Sequence, residues 1–222
     1  MPHLLIVGAG PGISAATARR FGTQGHAVGL IGRRQGALAE LGAELRQSVT
    51  RVEWASAEAG DPRSLDVAVE VLVGKLGPVD VLLYNVSAGR EVTVPDLTPE
   101  DLLADLAAGV VGLQSAVRAV LPGMRERGAG TVLVTGSGSA DRPIVSMASL
   151  GVQKAALRAL VEVQARALAP EGIHVATATV RGFVGEDRQI RPERVADLYA
   201  DLVAETAGPP ERWRTVVDLT AE

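Results

Sequence analysis

The chain has 222 residues, of which 47% are hydrophobic and 3% aromatic, and its formal net charge is −4. A mildly acidic chain does not attract phosphate polymers, which argues against general binding to nucleic acid or anionic membranes. Cysteine is absent, so disulfides, thiolate catalysis and cysteine-ligated metals are excluded, and the three scattered histidines predict no metal site. We find no apolar run of spanning length and no signal-peptide pattern, and we therefore expect a cytoplasmic protein.

Short apolar runs alternate with helical patterns along the chain. The predicted strands are His3–Val7, Ala27–Ile31, Arg51–Trp54, Val79–Tyr84, Thr131–Thr135, His174–Val180 and Thr215–Leu219. The predicted helices are Ile13–Thr23, Gly36–Gln47, Pro62–Leu76, Pro99–Arg127, Ala148–Ala169 and Pro192–Glu205. Several strands are apolar on both faces, as in parallel sheets covered by helices. The pattern predicts one α/β domain over residues 1–222, with a doubly wound, mostly parallel sheet of about seven strands.

The first predicted strand leads directly into a glycine-rich turn, with the sequence GAGPGIS from Gly8. A tight strand-to-helix turn needs backbone conformations that glycine favours, and a turn without Cβ atoms lets a pyrophosphate approach the first helical amides. This context predicts a diphosphate site, with an ordinary tight turn as the alternative. The predicted binding residues are Gly8, Gly10, Pro11, Gly12 and Ile13.

The second predicted strand is followed by Gly32, Arg33 and Arg34. In a dinucleotide fold, an acid at this position would accept a hydrogen bond from the ribose 2′-hydroxyl, whereas arginine forks onto a 2′-phosphate. Two arginines without an acid favour NADP(H) over NAD(H). The alternative is a solvated pair that opens the next helix.

With these features the chain resembles the classical short-chain dehydrogenase/reductases over nearly its whole length. The family phosphate loop, T-G-x-x-x-G-x-G, aligns from Val7 to Ser14, and both of these end residues depart from the motif. The segment RAVLPGM, residues 118–124, is typical of the family's central helix. The resemblance implies a Rossmann fold, and it implies further cofactor-binding residues after the later strands. These are Glu58, Ala59, Asn85, Val86, Ser87, Lys154, Gly182 and Val184.

The family reaction transfers a hydride between a nicotinamide and a carbonyl or alcohol carbon, and a developing alkoxide needs a proton and hydrogen-bond donors. The resemblance implies that Ser137 binds the substrate oxygen and that Lys154 binds the nicotinamide ribose. The usual tyrosine acid aligns with Leu150, and the usual central-helix asparagine aligns with Gly109. The expected catalytic residues are therefore Ser137 and Lys154. The alternatives are ordinary turn chemistry for Ser137 and a helix-surface position for Lys154.

Other groups stay open as proton donors or substrate contacts. Tyr84 ends a predicted strand beside the expected cleft. Ser149 directly precedes the Leu150 position, and Ser146 lies one helical turn before it. Asp141 could titrate, or it could be a solvated turn residue. Arg181 stands where the family has proline, either as an anion contact or as a surface residue. Only residues 185–191 separate the last site segment from the next helix, which is too short for the family's two-helix lid.

Two functions are consistent with these residues. In the first, the chain is an NADPH-dependent reductase, or an altered-chemistry relative, that acts on a small carbonyl compound with water as the proton source. In the second, it binds a dinucleotide without hydride transfer, as a sensor, scaffold or partner subunit. The alanine-rich segments Ala107–Val120 and Ala155–Ala169 permit close helix packing, and the family resemblance implies a homodimer or homotetramer.

Overall fold

The computed structural model describes residues 1–221, which form one seven-stranded parallel sheet in the order β3-β2-β1-β4-β5-β6-β7. The strands are β1 (His3–Val7), β2 (Ala27–Gly32), β3 (Val52–Ser56), β4 (Val81–Tyr84), β5 (Gly130–Ser137), β6 (Ile173–Arg181) and β7 (Val216–Thr220). The helices are α1 (Ile13–Gly22), α2 (Gln35–Leu45), α3 (Pro62–Leu76), α4 (Pro99–Leu106), α5 (Gly112–Arg127), α6 (Ala148–Leu168) and α7 (Pro192–Ala204). The predicted doubly wound sheet is confirmed, and every strand pair in the described range is parallel.

The strand order reverses at β1, which pairs with β2 on one side and β4 on the other. Chain segments leave the carboxyl ends of these two strands in opposite directions, and a crevice opens between them. This crevice is where the glycine-rich turn, the end of β2 and the end of β4 come together. The fold therefore collects segments that are far apart in sequence at one edge of the sheet.

Helices cover both faces of the sheet and form two apolar cores. Leu5 and Val7 of β1 belong to the core beneath α3, α5 and α6. Leu4 and Ile6 point into the core beneath α1, α2 and α7. All four side chains are fully buried, and each contributes roughly 1.5–3 kcal/mol relative to an exposed position. This two-sided burial explains why β1 is apolar at successive positions rather than alternating.

Local signals set several helix ends. Asp61 caps α3 by accepting a hydrogen bond of 3.0 Å from the Arg63 amide, and Pro62 occupies the first helical position. Thr98 caps α4 in the same way through the Asp101 amide at 3.1 Å. Because these signals lie within a few residues of the helix start, they are legible in the sequence.

The central helix, predicted as one α-helix over Pro99–Arg127, contains a π-helical turn at Ala107–Val111 between α4 and α5. In a π turn the hydrogen bonds join residues five apart instead of four, so the turn contains one extra residue, and such turns often occur beside functional sites. Gly109, which aligns with the family asparagine, lies within this turn.

One helix within residues 1–221, spanning Pro99–Arg127, is long and apolar enough to cross a membrane by length and composition alone, with a mean hydropathy of 1.3. The expectation that no apolar run reaches spanning length is therefore wrong for this helix. In the fold, 39% of its apolar window is buried, and α5 packs on α3, β4 and β5. Core helices of globular proteins pass the same test, so the match is weak evidence for a membrane span.

Candidate functional site

The glycine-rich turn crosses the crevice beside Asn85. Gly8 has a φ of +87°, and a Cβ there would lie 2.5 Å from the Asn85 carbonyl oxygen. Gly12 also has a positive φ, of +79°. Ser14 donates a hydrogen bond of 3.0 Å to the Gly8 carbonyl and accepts one of 2.8 Å from Asn85 Nδ2. The serine that departs from the family motif thus fastens the turn to the end of β4.

The amino end of α1 is open to an anion. Its cap residue, Gly12, offers no side-chain hydrogen bond, and the first turn has no acidic residue. The first amides of a helix have no intrahelical acceptors, and they carry the positive end of the helix dipole. The turn and helix therefore provide the donors that a diphosphate requires.

Two adjoining hollows of about 480 and 420 Å³ lie along the carboxyl edge of the sheet, and both are lined by Ala9, Gly32 and Arg33. The larger also contains several predicted cofactor residues: Gly8, Glu58, Ala59, Asn85, Val86 and Ser87. The smaller contains Gly10, Pro11 and Arg34. The predicted residues Gly12, Ile13, Ser137, Lys154, Gly182 and Val184 line neither hollow.

Arg33 and Arg34 are both exposed; Arg33 lines the two hollows, and Arg34 lines the smaller one. Neither guanidinium has a hydrogen-bond or ion-pair partner among residues 1–221. Their donors are therefore available to a ligand, and a guanidinium edge matches the geometry of a phosphate.

Lys154 lies on α6 and is 4% exposed. Its Nζ donates hydrogen bonds of 3.1 Å to the Val86 carbonyl and 3.0 Å to the Thr135 carbonyl, which bridges the ends of β4 and β5. Within the described chain no carboxylate is bonded to this amine, and burial lowers the pKa of Lys154 to about 8. The lysine is therefore held between the ends of β4 and β5, with a weakened preference for the charged form.

Ser137 ends β5, and its neighbour across the sheet is Val180 of β6. Its Oγ accepts a hydrogen bond of 3.1 Å from the Ser139 amide and donates one of 3.1 Å to Ser139 Oγ. Leu150 is 8% exposed, so an apolar side chain fills the position of the family acid. Ser137 must turn away from Ser139 to donate to a substrate.

Tyr84 and Ser149 are both removed from the crevice. Tyr84 is fully buried and donates to the Ala108 carbonyl, and burial raises the pKa of its phenol. Ser149 is also fully buried and donates to Asp105 Oδ2 at 2.6 Å. Neither hydroxyl is placed to protonate a substrate in this conformation.

Asp141 is held between Arg158 and Arg181, at 2.7 and 2.9 Å. Hydrogen bonds from these two guanidinium groups lower the pKa of the carboxyl, so it cannot serve as an acid near neutral pH. Arg181 also pairs with Asp218 at 2.9 Å. Its donors are occupied by carboxylates, which disfavours the substrate-anion role considered above. Ser146 is exposed and stays a candidate for a water-mediated relay.

The segment after β6 is a compact loop. Gly182 and Val184 lie in it, Val184 pairs with Ile190 as an isolated bridge, and the Ile190 amide donates to the Phe183 carbonyl at 3.1 Å. Phe183 is 70% exposed. The predicted short connection is confirmed, and between β6 and α7 there is no room for two lid helices.

Gln153 is a residue that motif comparison missed. A Cβ added to Gly109 would lie 2.2 Å from Gln153 Cγ and Cδ, so the glutamine side chain occupies the space beside the family asparagine position. Its Nε2 donates to the Asp105 carbonyl at 3.1 Å, and its Oε1 accepts from the Ala88 amide at 3.3 Å. The only signal in the sequence is a large amide side chain immediately before Lys154.

The fold and crevice define a doubly wound α/β protein with its candidate site at the strand-order reversal. Residues 2–187 match the family described as short chain dehydrogenase. The chain belongs to the short-chain dehydrogenase family.

Relatives agree with this assignment over most of the chain. It is 31% identical over 220 residues to the (2S)-[(R)-hydroxy(phenyl)methyl]succinyl-CoA dehydrogenase subunit BbsC of Thauera aromatica, covering 98% of this chain and 86% of that protein. The structure of L-sorbose reductase from Gluconobacter frateurii with NADPH and L-sorbose matches with a TM-score of 0.90 at 21% identity, over 99% and 95% of the two chains. An NADPH-bound short chain oxidoreductase of Pseudomonas aeruginosa PAO1, described as containing an atypical catalytic center, matches with a TM-score of 0.87 at 21% identity, over 98% and 95% of the chains.

Proposed function

We propose that this chain is an NADP(H)-dependent oxidoreductase, or an altered-chemistry relative, that acts on a small carbonyl compound without a tyrosine acid. The observation that carries the proposal is the pair of guanidinium groups, Arg33 and Arg34, which lie beside the glycine turn and have no partner within residues 1–221. Gly8 lets the turn lie close against the Asn85 backbone, an approach that a Cβ would block, and the amino end of α1 supplies amides without intrahelical acceptors. These features fit a dinucleotide with a 2′-phosphate better than one without it.

The predicted cofactor residues divide between the parts of such a ligand. The turn from Gly8 to Ile13 would bind the diphosphate, and the two arginines would bind the 2′-phosphate. Glu58, Ala59, Asn85, Val86 and Ser87 would surround the adenosine and the adjoining ribose, whereas Gly182 and Val184 would face the nicotinamide end. Two of the structural neighbours are NADPH complexes, which supports this choice.

The chemistry falls to Lys154 and Ser137. When bound, NADPH supplies the hydride that reduces the carbonyl carbon. Lys154 would donate to the ribose hydroxyls, and Ser137 would donate to the carbonyl oxygen as negative charge develops on it. Leu150 has no proton to give, so water protonates the resulting alkoxide. A reactive carbonyl or a conjugated alkene tolerates this weak acid better than a plain ketone does.

Calorimetry and a reductase assay test the proposal together. We expect NADPH to bind at least about tenfold more tightly than NADH, and we expect Arg33→Ala to reduce this preference. NADPH absorbance should fall with an activated carbonyl and should stop falling in Lys154→Ala. Absence of binding by the folded protein would refute the cofactor assignment, and equal turnover in Lys154→Ala would refute the catalytic role.

A second function is favoured by the way the acid position is filled. Leu150 is packed and Tyr84 is buried, while Gln153 fills the space beside Gly109, so a non-catalytic dinucleotide-binding subunit is the alternative. The relative BbsC is itself named as a dehydrogenase subunit. This alternative predicts NADPH binding without oxidation across a broad panel of carbonyl compounds, and substrate-dependent oxidation would exclude it.

We also propose that the single domain assembles in the cytoplasm as a homodimer or homotetramer. Exposed apolar side chains on α4–α5 and α6 support helix packing between copies, among them Leu103 at 67%, Val111 at 48% and Val163 at 62% exposure. Light scattering should give a multiple of the chain mass, and Val163→Asp should reduce it. A monomer at micromolar concentration would contradict the proposal.

A further inference from the structure

The larger hollow has a wall that no motif predicted. Arg90, Asp105 and Ala108 line it together with Glu58 and Ala59. Arg90 belongs to the segment after β4, and Asp105 lies on α4, just before the π turn. Arg90 therefore reaches the same hollow in which the adenosine end of a dinucleotide is proposed to lie.

Two carboxylates occupy the donor edges of the Arg90 guanidinium. Nη1 pairs with Asp101 Oδ1 at 3.0 Å. Nε and Nη2 each lie 3.3 Å from an Asp105 carboxylate oxygen. The Arg90 side chain nevertheless remains 38% exposed. Because its edges are occupied, the guanidinium has mainly its planar faces left for a ligand.

Asp105 is itself anchored inside the protein. Its side chain is 6% exposed and accepts a 2.6 Å hydrogen bond from Ser149, and its backbone carbonyl accepts from Gln153 Nε2. Both donors belong to α6, the helix that also carries Lys154. The guanidinium is therefore held in one orientation by a buried network, so little side-chain entropy is lost when a ligand contacts it.

These contacts separate Arg90 from the other two arginines of the crevice. No described residue occupies the edges of Arg33 and Arg34, which suit a phosphate. Arg90 has occupied edges and a charge balanced by its carboxylates. A guanidinium face is suited to stacking on an aromatic ring. We infer that Arg90 stacks on the adenine ring of the bound dinucleotide and that Asp105 is the positioning residue that holds it there. The inference rests on the proposed function.

The test measures binding of NADPH and of adenosine 2′,5′-bisphosphate by calorimetry. In Arg90→Met we expect both affinities to fall about tenfold. Arg90→Lys keeps the positive charge but removes the planar guanidinium, and we expect nearly the same fall in both affinities. If Arg90→Lys binds both ligands as the wild type does, charge alone is sufficient and the stacking inference is overturned.

The role of Asp105 is tested by a double-mutant cycle. Asp105→Asn alone should weaken adenosine 2′,5′-bisphosphate several-fold, and Arg90→Met/Asp105→Asn should bind no more weakly than Arg90→Met, because Asp105 acts through Arg90. Additive losses would overturn the positioning role. Arg90→Met leaves the buried Asp105 carboxylate without its cation, which could prevent folding. The double variant removes that carboxylate charge as well.

Two controls separate the possible failures. Arg118→Met removes an exposed arginine that lines a separate groove between α3 and α5, and it should bind both ligands as the wild type does. If the folded wild type binds NADPH and both Arg90 variants match it, the Arg90 inference alone fails. If the wild type binds neither ligand, the proposed function fails and the inference falls with it.

Discussion

A single methyl group at Gly109 tests whether Gln153 has taken over the space beside the family asparagine. In Gly109→Ala the new Cβ would lie 2.2 Å from Gln153 Cγ and Cδ and 2.6 Å from its Oε1. Gln153 is fully buried, so its side chain cannot move into solvent. It must leave its positions beside the Asp105 carbonyl and the Ala88 amide, or the π turn and α6 must separate.

The cost can be worked from these contacts. Overpacking a filled core costs about 1–3 kcal/mol, and each of the two hydrogen bonds lost by Gln153 adds about 1 kcal/mol. We therefore expect Gly109→Ala to destabilise the protein by about 2–4 kcal/mol, although alanine is the better helix former by about 1 kcal/mol. Gln153→Ala removes the atoms that clash, so the double variant should cost less than the sum of the singles by about 1–3 kcal/mol.

Urea unfolding followed by tryptophan fluorescence measures all three variants. Gly74→Ala is the matched control, because Gly74 also lies in a helix and a Cβ added there would have no atom within 4 Å. It should be neutral or slightly stabilising. If Gly109→Ala behaves like Gly74→Ala, or if the two core substitutions are additive, Gln153 does not fill this space as the structure indicates.

Three further predictions concern other parts of the fold. The pKa of Lys154 is about 8 in the folded protein against its ordinary 10.5, so between these values the unfolded chain binds more protons. The free energy of unfolding of the wild type should therefore rise relative to that of Lys154→Met by up to about 1.4 kcal/mol per pH unit towards pH 10. A difference that stays constant with pH would contradict this. Burial lowers the pKa of His3 below 6.5, so its contribution to stability is present above that pH and is lost as the pH falls. The decrease in melting temperature between about pH 7 and pH 5 should therefore be smaller in His3→Leu than in the wild type, as measured by thermal unfolding. Gly8→Ala combines a positive φ with a clash against Asn85, and it should abolish NADPH binding in calorimetry and cost at least about 2 kcal/mol. Gly10→Ala, whose Cβ would meet no protein atom within 4 Å, should retain its stability in thermal unfolding, and a destabilisation equal to that of Gly8→Ala would contradict this.

Much of the fold was predictable because its signals are local or periodic. The bounds of β1 at His3–Val7 and α3 at Pro62–Leu76 agree with the sequence prediction. In the first case apolar residues on both faces mark a covered strand, and in the second a cap and a proline mark the helix start. The π turn at Ala107–Val111 was not predicted, because a widened turn has the same composition as the helix around it.

The candidate site was predictable only in part. The glycine turn and Arg33 can be recognised from the residues next to them in the sequence, and the structure places them in one crevice. Whether Tyr84 reaches that crevice depends on packing against Ala108, and its burial decides that it does not. The occupation of the space beside Gly109 depends on Gln153, a residue of a different helix.

The sequence by itself determined the alternation of strands and helices, the glycine turn and the lack of a tyrosine in α6, because each depends on neighbouring or regularly spaced residues. Only the tertiary structure decided which polar groups remain available. Ion pairs occupy the edges of Arg90 and lower the pKa of the Asp141 carboxyl, and Lys154 is buried with no bonded carboxylate among residues 1–221. These outcomes depend on distances between segments that the chain order does not specify, since hydrogen bonds and burial form only after those segments pack.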